Sequence, residues 1–359
     1  MNPFKYLATG FILLIFNSLV AQTENGGIFT GSFESTSQRY YNDNQIVIVL
    51  PQDRFASNNN LSMNYGYGKF SVGLQYEAYM PPLVGFSPNY DGSGISQKYL
   101  SYSSDFIDFT VGDFYEQFGS GLIFRSYESR ALGINNSLEG FNIKLKPADY
   151  FTLKMIYGKQ RKYFERSKGI IRGLDGEFDL IDFLDSDKNY GLKIGASIVN
   201  HYELYTGANP QISPAVNAYA VRFDFNASKF SFSTEYVYKQ SDPHDLNYFW
   251  LNSGNALLTH FGFAQKGLAM NLSLRRLENM DTRSERSATD NELMINYLPA
   301  NTKQHKYSLA NIYPYTTQSL GEIGGQYDLF YSFKKGSFLG GKYGTKLNFN
   351  FSIYQSLDT

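Results

Sequence analysis

The chain has 359 residues, no cysteine and nearly balanced charge, with 32 Lys and Arg against 33 Asp and Glu. The lack of cysteine excludes disulfides, thiol catalysis and thiolate metal sites. A net charge of -1 provides no basic surface for nucleic acid, so no nucleic-acid partner is expected. The 30 Tyr and 30 Phe, together with a mean hydropathy of -0.35, indicate apolar residues alternating with polar ones.

The first 22 residues have the pattern of a secretory signal peptide. Lys5 precedes an apolar core at residues 11–20, and the small Ala21 closes it. We expect cleavage near Ala21 or Gln22, export through the general secretory pathway, and a mature domain of residues 23–359. The longest later apolar run, residues 46–50, is far shorter than the roughly 20 residues of a membrane-spanning helix.

A two-residue alternation of apolar and polar side chains governs most of the mature chain. Phe70, Val72 and Leu74 fall on one face of a predicted strand. Ser71 and Gln75 fall on the other face. This pattern is typical of a strand with lipid on one side and a polar interior on the other, as in a membrane β-barrel.

The pattern predicts a series of strands in chain order. They lie at residues 28–40, 61–67, 70–79, 99–106, 109–114, 141–145, 151–157, 169–179, 190–198, 219–225, 230–238, 255–263, 268–274, 327–333 and 345–354. Short turns and long connections alternate along this series, as in barrels with both termini in the periplasm. Within the polar stretch 278–322, residues 306–313 are expected to form another strand or a loop folded into the pore. The predicted fold is all-β, a transmembrane antiparallel up-and-down β-barrel with about 14 to 16 strands.

An odd number of strands would leave the last strand ending at the outer face. Bacterial barrels of a single chain close with an even number, because an unpaired lipid-facing edge leaves backbone groups without partners. We therefore expect a C-terminally truncated sequence and an incomplete barrel that lacks at least one strand. The alternative is that one weak strand escapes the pattern.

The segment from Gly112 to Ser137 combines both signs of charge, aromatic residues and glycines between two predicted strands. Such a loop can fold into a pore and line its constriction. The predicted pore-lining residues are Asp113, Glu116, Arg125, Glu128, Arg130, Arg222 and Asp224. The last two, Arg222 and Asp224, are placed on the lumen face by strand register alone. The alternative is an outer loop that packs on itself.

Register predicts further charges inside the barrel, because a charge on the lipid face near the midplane costs about 2 to 4 kcal/mol. These residues are Glu77, Lys144, Lys146, Lys193, Glu235 and Arg275. They either contact solutes or neutralise one another.

The sequence offers no clear catalytic set. Of the four histidines, His244 lies in a loop between Asp242 and Asp245, but no nucleophile accompanies a base and an orienting group. The acidic turns at residues 91–94 and 185–187 lack the spacing of a calcium loop. We expect no enzymatic activity, no cofactor and no metal site.

Four stretches resemble a Bacteroidota outer-membrane family of unknown function. They are GDFYEQFGSGL at 112–122, LPA at 298–300 with KQH at 303–305, IYPY at 312–315 and GGKYGT at 340–345. The leader ending in Ala21-Gln22 is also similar to signal peptides of that phylum. The resemblance implies a barrel-forming outer-membrane protein and no particular substrate.

These patterns favour a porin-like channel in the outer membrane of a Gram-negative bacterium, with membrane lipid around it and small solutes passing through it. The main alternative is a non-catalytic structural or accessory barrel whose outer loops dock secretion, adhesion or surface-lipoprotein partners. A barrel enzyme and a soluble β-sandwich are weaker alternatives. No oligomeric state follows from the sequence.

Overall fold

A computed structural model describes residues 26–42, 51–184, 189–303, 309 and 312–357. The predicted leader, the apolar run 46–50, the acidic turn 185–187 and His305 lie outside these residues. So does most of the segment 306–313, for which a strand or a pore loop is predicted.

Fifteen strands form one antiparallel sheet in the described residues. The wall strands are β1 (Ile28–Arg39), β2 (Phe55–Tyr67), β3 (Phe70–Tyr79), β4 (Gly92–Ser103), β5 (Ile107–Phe114), β10 (Leu138–Ala148), β11 (Phe151–Lys162), β12 (Glu165–Asp179), β13 (Tyr190–Tyr202), β14 (Ala215–Ala227), β15 (Phe230–Lys239), β16 (Gly254–Gln265), β17 (Leu268–Glu278), β18 (Gly321–Phe333) and β19 (Thr345–Ser356). Four two-residue strands interrupt this numbering, namely β6 (Gln117–Phe118), β7 (Phe124–Arg125), β8 (Glu128–Ser129) and β9 (Ile134–Asn135).

Each wall strand pairs with the wall strands before and after it in the chain, so the sheet is an up-and-down meander. One end of the sheet carries mostly short turns, such as Ala227–Phe230 between β14 and β15, and the other carries long connections. The turn at Tyr163 and Phe164 is an exception, because it joins β11 to β12 tightly at the long-loop end. Tyr163 adopts a φ of 56° there, as a sharp reversal demands.

Several strands are longer than the alternation predicts. β2 begins at Phe55 rather than near residue 61, β4 at Gly92 rather than near 99, and β12 at Glu165 rather than near 169. Most of the added residues are polar or glycine, and they extend the ladder beyond the part of each strand where hydrophobic periodicity gives a signal.

The outer face of the sheet is apolar and the inner face is not. On β14, Tyr219, Val221 and Phe223 are exposed, whereas Ala220 and Arg222 between them are buried. On β19, the outward residues Leu347, Phe349, Phe351 and Ile353 are all exposed. An apolar outer face around a sequestered interior is the arrangement that a bilayer requires of a strand protein.

The sheet curls around residues that fold into its interior. On the first edge strand, Glu34 pairs with Arg130 of the connection between β5 and β10 at 2.7 Å. On the last edge strand, the Tyr354 hydroxyl donates to the Asn301 carbonyl at 2.9 Å. β1 and β19 are not paired with each other in the described residues, but each contacts a connection that folds into the interior. The predicted fold class is confirmed: this is the wall of an antiparallel up-and-down transmembrane β-barrel, with 15 strands.

Helix is almost absent from this wall. A single turn, α1 (Leu180–Phe183), begins after Asp179, whose carboxylate accepts from the backbone N–H groups of Ile181 and Asp182. Among the described residues, no helix reaches the length and apolar character needed to cross a bilayer.

Candidate functional site inside the barrel

Two long connections enter the barrel from the same end and join one another there. We call residues 115–137 and 279–303 the plug. The Arg125 amide donates to the Ile295 carbonyl at 2.9 Å, and the Tyr297 amide donates to the Gly121 carbonyl at the same distance. The Arg125 guanidinium lies over the rings of Tyr127 and Tyr297, with 4.7 and 4.0 Å to the ring centroids. The two segments therefore form one body.

The plug carries an apolar core that fills the barrel at mid-height. Phe118 and Phe124 are fully buried, with ring centroids 5.3 Å apart. They belong to one cluster with the inward side chains Ile156, Ile171 and Leu277 of the wall. At this level the inner face is apolar and dry, rather than wet along its whole length as alternation alone predicts. The plug is held by packing as well as by polar contacts.

Charged contacts fasten the plug to the wall. Glu116 accepts from Lys154 at 2.8 Å and from the Asn142 side chain at 3.1 Å. The Ser120 amide donates to a Glu235 carboxylate oxygen at 2.8 Å. These bonds anchor the inner tip of the plug on strands β10, β11 and β15.

The predicted pore-lining residues all occur inside the barrel, but at separate places. Asp113 lies on β5, where it pairs with Arg166 at 2.7 Å and accepts from the Lys98 amide. Glu128 and Arg130 pair with each other at 3.0 Å near the edge strand β1. As described above, Glu116 is bonded to the wall, whereas Arg125 lies over two tyrosine rings of the plug. The structure does not bring these five residues into a single ring.

The other two predicted residues, Arg222 and Asp224, lie together on β14 beneath the plug. They line a cavity of about 300 Å³ that opens toward the short-turn end and includes Ser120, Glu177, Glu235 and His260. Arg222 donates to Asp175 at 2.6 Å and to the Ser197 hydroxyl at 2.5 Å. A Cβ at Gly195 would lie 2.6 Å from the Arg222 guanidinium, so this glycine makes room for the pair.

Gly119 shows how closely the plug tip approaches this cavity. Its φ of 54° favours glycine, and a Cβ there would lie 2.5 Å from Arg222 Cδ and 2.8 Å from a Glu235 oxygen. The glycine-rich sequence around Ser120 therefore serves a close contact between plug and wall. The sequence predicted the loop's entry into the pore, but not which wall residues it meets.

Several inward charges neutralise each other. This is one of the two alternatives that the sequence predicts for the charges inside the barrel. Both oxygens of Glu77 accept from Arg161, at 2.7 and 3.1 Å, and both side chains are almost completely buried. Arg275 pairs with Glu322 in the same buried manner. Lys193 is different, because it lies 3.5 Å from Glu177 with both side chains about half exposed.

Sequence reasoning missed a buried ionic cluster at the long-loop end. His201 Nε2 lies 3.0 Å from the Asp242 carboxylate, which also lies 3.4 Å from Lys239. His244 approaches Asp281 at 3.8 Å. Only the flanking of His244 by acidic residues was visible in the sequence, since His201 is distant along the chain.

Burial and nearby charges set the pKa values in the loops of this cluster. Burial alone would raise the pKa of the Asp242 carboxyl, but the neighbouring His201 and Lys239 charges hold it well below its usual value. Burial lowers the pKa of His244, although Asp242 opposes this shift. The side chains of the two histidines, Lys239 and Asp242 are at most 4% exposed, so this buried cluster is suited to holding loops together. Among the described residues, no group of three metal-ligating side chains converges.

The long-loop end has a second cavity, of about 370 Å³. Its wall includes Phe86, Tyr90, Asn135 and Tyr163, together with residues 290–293 of the plug. The Tyr90 and Tyr163 rings meet edge to face, 4.8 Å apart. Burial is the main cause that raises the pKa of Tyr90 to about 12, so its hydroxyl is neutral and donates to the Gly133 carbonyl.

A curled antiparallel wall with an apolar outer face and a plugged, charged interior defines the class of membrane β-barrel proteins. The chain belongs to a family of unknown function, DUF6029, whose model matches residues 4–359. The predicted membership in a family of unknown function is thereby confirmed, while an origin in the Bacteroidota stays a prediction. No curated protein matches the sequence.

Solved structures with a similar course of the chain include outer-membrane proteins. OccK3 (OpdO) of Pseudomonas aeruginosa is 11% identical with a TM-score of 0.38, covering 95% of this chain and 94% of that one. The outer membrane protein OpdK of Pseudomonas aeruginosa is 8% identical with a TM-score of 0.39, covering 93% and 95%. OccAB4 of Acinetobacter baumannii is 10% identical with a TM-score of 0.38, covering 92% and 93%. At these values we transfer neither function nor substrate.

Proposed function

We propose that this protein is an outer-membrane, porin-like channel through which small solutes pass passively. The observation that carries the proposal is the charged cavity on the inside of a wall whose outer face is apolar. Such a wall places its outward aromatic and aliphatic side chains in lipid, and its interior is the only polar route across the bilayer. Short turns then face the periplasm and long connections face outward, by the usual asymmetry of bacterial barrels.

In this proposal the plug determines which solutes pass through the lumen. Its apolar core blocks the middle of the lumen, so solutes cross where polar contacts between plug and wall can part, as at Glu116 and Ser120. Interactions of charged groups in such a narrow, partly dry passage are stronger than in bulk water, and they select solutes by charge and width.

A specific observation also favours the predicted alternative of a non-conducting accessory barrel. Phe118 and Phe124 are fully buried in a continuous apolar core, which suits a permanently closed lumen. The cavity lined by Tyr90 and Tyr163 at the long-loop end would then be a place for a partner to dock.

Single-channel recording in planar bilayers tests the two functions against each other. We expect discrete conductance from the full-length protein, and a larger conductance from Glu116→Gln, which weakens the hold of Lys154 on the plug. Lys146→Gln is the matched control, because its ion pair with Asp108 lies outside both the plug and the cavity. Absence of conductance from both the parent and Glu116→Gln would reject the channel, and a stable complex co-purified in mild detergent would then support the accessory barrel.

A further inference from the structure

The cavity beneath the plug contains a carboxylate that is only half satisfied. Glu235 is 5% exposed and lines this cavity. One of its oxygens accepts from the Ser120 amide at 2.8 Å, but the other has no hydrogen-bond partner within the described residues. A buried acceptor without a partner is destabilising, and more so when it is charged. An unsatisfied carboxylate oxygen on a residue that lines a cavity calls for a partner, which a bound ligand can supply.

A second carboxylate in the same cavity is also unneutralised. Asp224 is half-buried, and its carboxylate takes part in no hydrogen bond or ion pair in the described part of the chain. It lies opposite Ser233, two residues from Glu235 along the neighbouring strand. Diagonal neighbours of this kind lie about 7 to 8 Å apart, which is close enough for one bound cation to reach both carboxylates.

The cations near this cavity are already engaged. The Arg222 guanidinium donates to Asp175 and Ser197 and has no ion pair with Glu235 within 4 Å. Lys193 stands opposite Asp224 in the strand register, but its ammonium points to Glu177 at 3.5 Å. The cavity lining thus holds three carboxylates, those of Glu177, Asp224 and Glu235, and one guanidinium, that of Arg222.

We propose that this cavity binds a small organic cation through its ammonium group, with Asp224 and Glu235 as the two acceptors. The binding site itself does not depend on the proposed channel function. Only its consequence, that the passage favours cationic solutes, rests on that proposal. The cavity volume of about 300 Å³ is roughly ten times the volume per water molecule, so it holds a solute rather than a bare ion. Ser233 offers a hydroxyl and Leu258 an apolar wall, which match a solute with a polar head and a short carbon chain.

Equilibrium binding tests this site without any need for conductance. The probe is 1,4-diaminobutane, titrated by calorimetry into the detergent-purified full-length protein at low ionic strength, with sodium acetate as the anionic comparison. We expect saturable binding of the diamine and none of acetate. Asp224→Asn should weaken the binding by roughly three- to tenfold, the range for losing one partly solvated ion pair or charged hydrogen bond. This variant breaks no existing bond, so folding is not at risk.

Two further variants sharpen the result. Glu235→Gln should also weaken diamine binding, whereas Asp149→Asn, in the exposed turn before β11, removes the same charge elsewhere and should leave binding unchanged. Equal binding by the parent and Asp224→Asn, or equal weakening by Asp149→Asn, would overturn the site. Binding without conductance would reject the channel and keep the site, and conductance without diamine binding would do the reverse.

Discussion

At the scale of single residues, the pair of Glu77 and Arg161 links distant parts of the wall. Glu77 lies on β3 and Arg161 on β11, four strands apart in the order of the sheet. The Arg161 guanidinium donates two hydrogen bonds to the Glu77 carboxylate. Their side chains are 3% and 0% exposed. Removing one partner of such a pair leaves the other charge buried without compensation, which is far costlier than losing a surface pair.

Glu77→Gln is expected to destabilise the barrel by about 3 to 5 kcal/mol, because Arg161 then keeps a buried, unbalanced charge. Unfolding in urea, followed by heat-modifiable gel migration and tryptophan fluorescence, measures the change. The control is Glu177→Gln, whose half-exposed pair with Lys193 should contribute less than about 1 kcal/mol. Similar losses in the two variants would show that burial of the Glu77 pair has no energetic consequence.

The buried cluster at the long-loop end leads to a prediction about acid. The pKa of His244 lies below 6.5, and the pKa values of Asp242 and Asp281 lie below 3.8, so the native loops hold fewer protons than the unfolded chain. The stabilisation is therefore present above these values and is lost as the pH falls, first below 6.5 and again below 3.8.

Thermal unfolding in detergent between about pH 8 and pH 4 checks this expectation. The melting temperature should decline below the ordinary pKa of histidine, and His244→Gln should lessen that decline because it replaces one titrating ring with a neutral amide that can still form hydrogen bonds. An identical decline in the parent and in His244→Gln would assign the acid sensitivity to other groups.

At the scale of elements, the plug is bound to the wall chiefly by its two phenylalanines. Phe118 and Phe124 stand on the two-residue strands β6 and β7, which pair with each other. This short hairpin presents both rings to the inward side chains of β11, β12 and β17. A hairpin of this size has marginal stability alone, so its position depends on packing against the barrel.

Phe118→Ala is expected to loosen the plug at a cost of about 3 to 5 kcal/mol, because it leaves a cavity in a tightly packed core. In planar bilayers, the variant should show a larger or noisier conductance than the parent. Phe351→Ala removes the same side chain from the lipid-facing side of β19 and should leave the conductance unchanged. Indistinguishable traces from Phe118→Ala and the parent would mean that these rings do not block the passage.

The sequence predicts the wall better than it predicts the plug. Alternation around Val221 and Phe349 reveals which side chains face outward, because lipid and interior impose a period of two residues. Phe118 and Phe124 belong to no such period, and their burial depends on wall strands that are distant in the chain. The pairing of His201 with Asp242 is equally invisible, since the curvature of the sheet brings together residues that are distant in the chain. For the same reason, the sequence placed Arg222 and Asp224 inside the barrel but did not show the unpartnered Glu235 oxygen beside them.

At the scale of the whole molecule, the central feature is that the two faces of one sheet meet different surroundings. Phe349 is 50% exposed on the outer face. Its neighbour Asn350 points inward, where its amide donates to the Asp328 carboxylate at 2.7 Å. In a lipid bilayer, these adjacent positions should therefore report a hydrocarbon and an aqueous environment, respectively.

Nitroxide labels on Phe349→Cys and Asn350→Cys test this opposition directly. The chain has no native cysteine, so each variant carries a single label. In reconstituted vesicles, oxygen should broaden the spectrum of the first label more strongly, and a water-soluble nickel complex that of the second. Equal accessibility to both reagents at both positions would refute a membrane-spanning wall.

The joining of the two plug segments has a consequence for the order of folding. The hydrogen bond between Arg125 and Ile295 closes a loop of 170 residues (295 minus 125), while neighbouring wall strands meet across short turns. Contacts so distant in sequence form after local ones, because the entropy of closing a long loop is lost before the contact is gained. A newly inserted barrel thus passes through a hollow stage, in which Ile156 and Leu277 face water until both halves of the plug arrive.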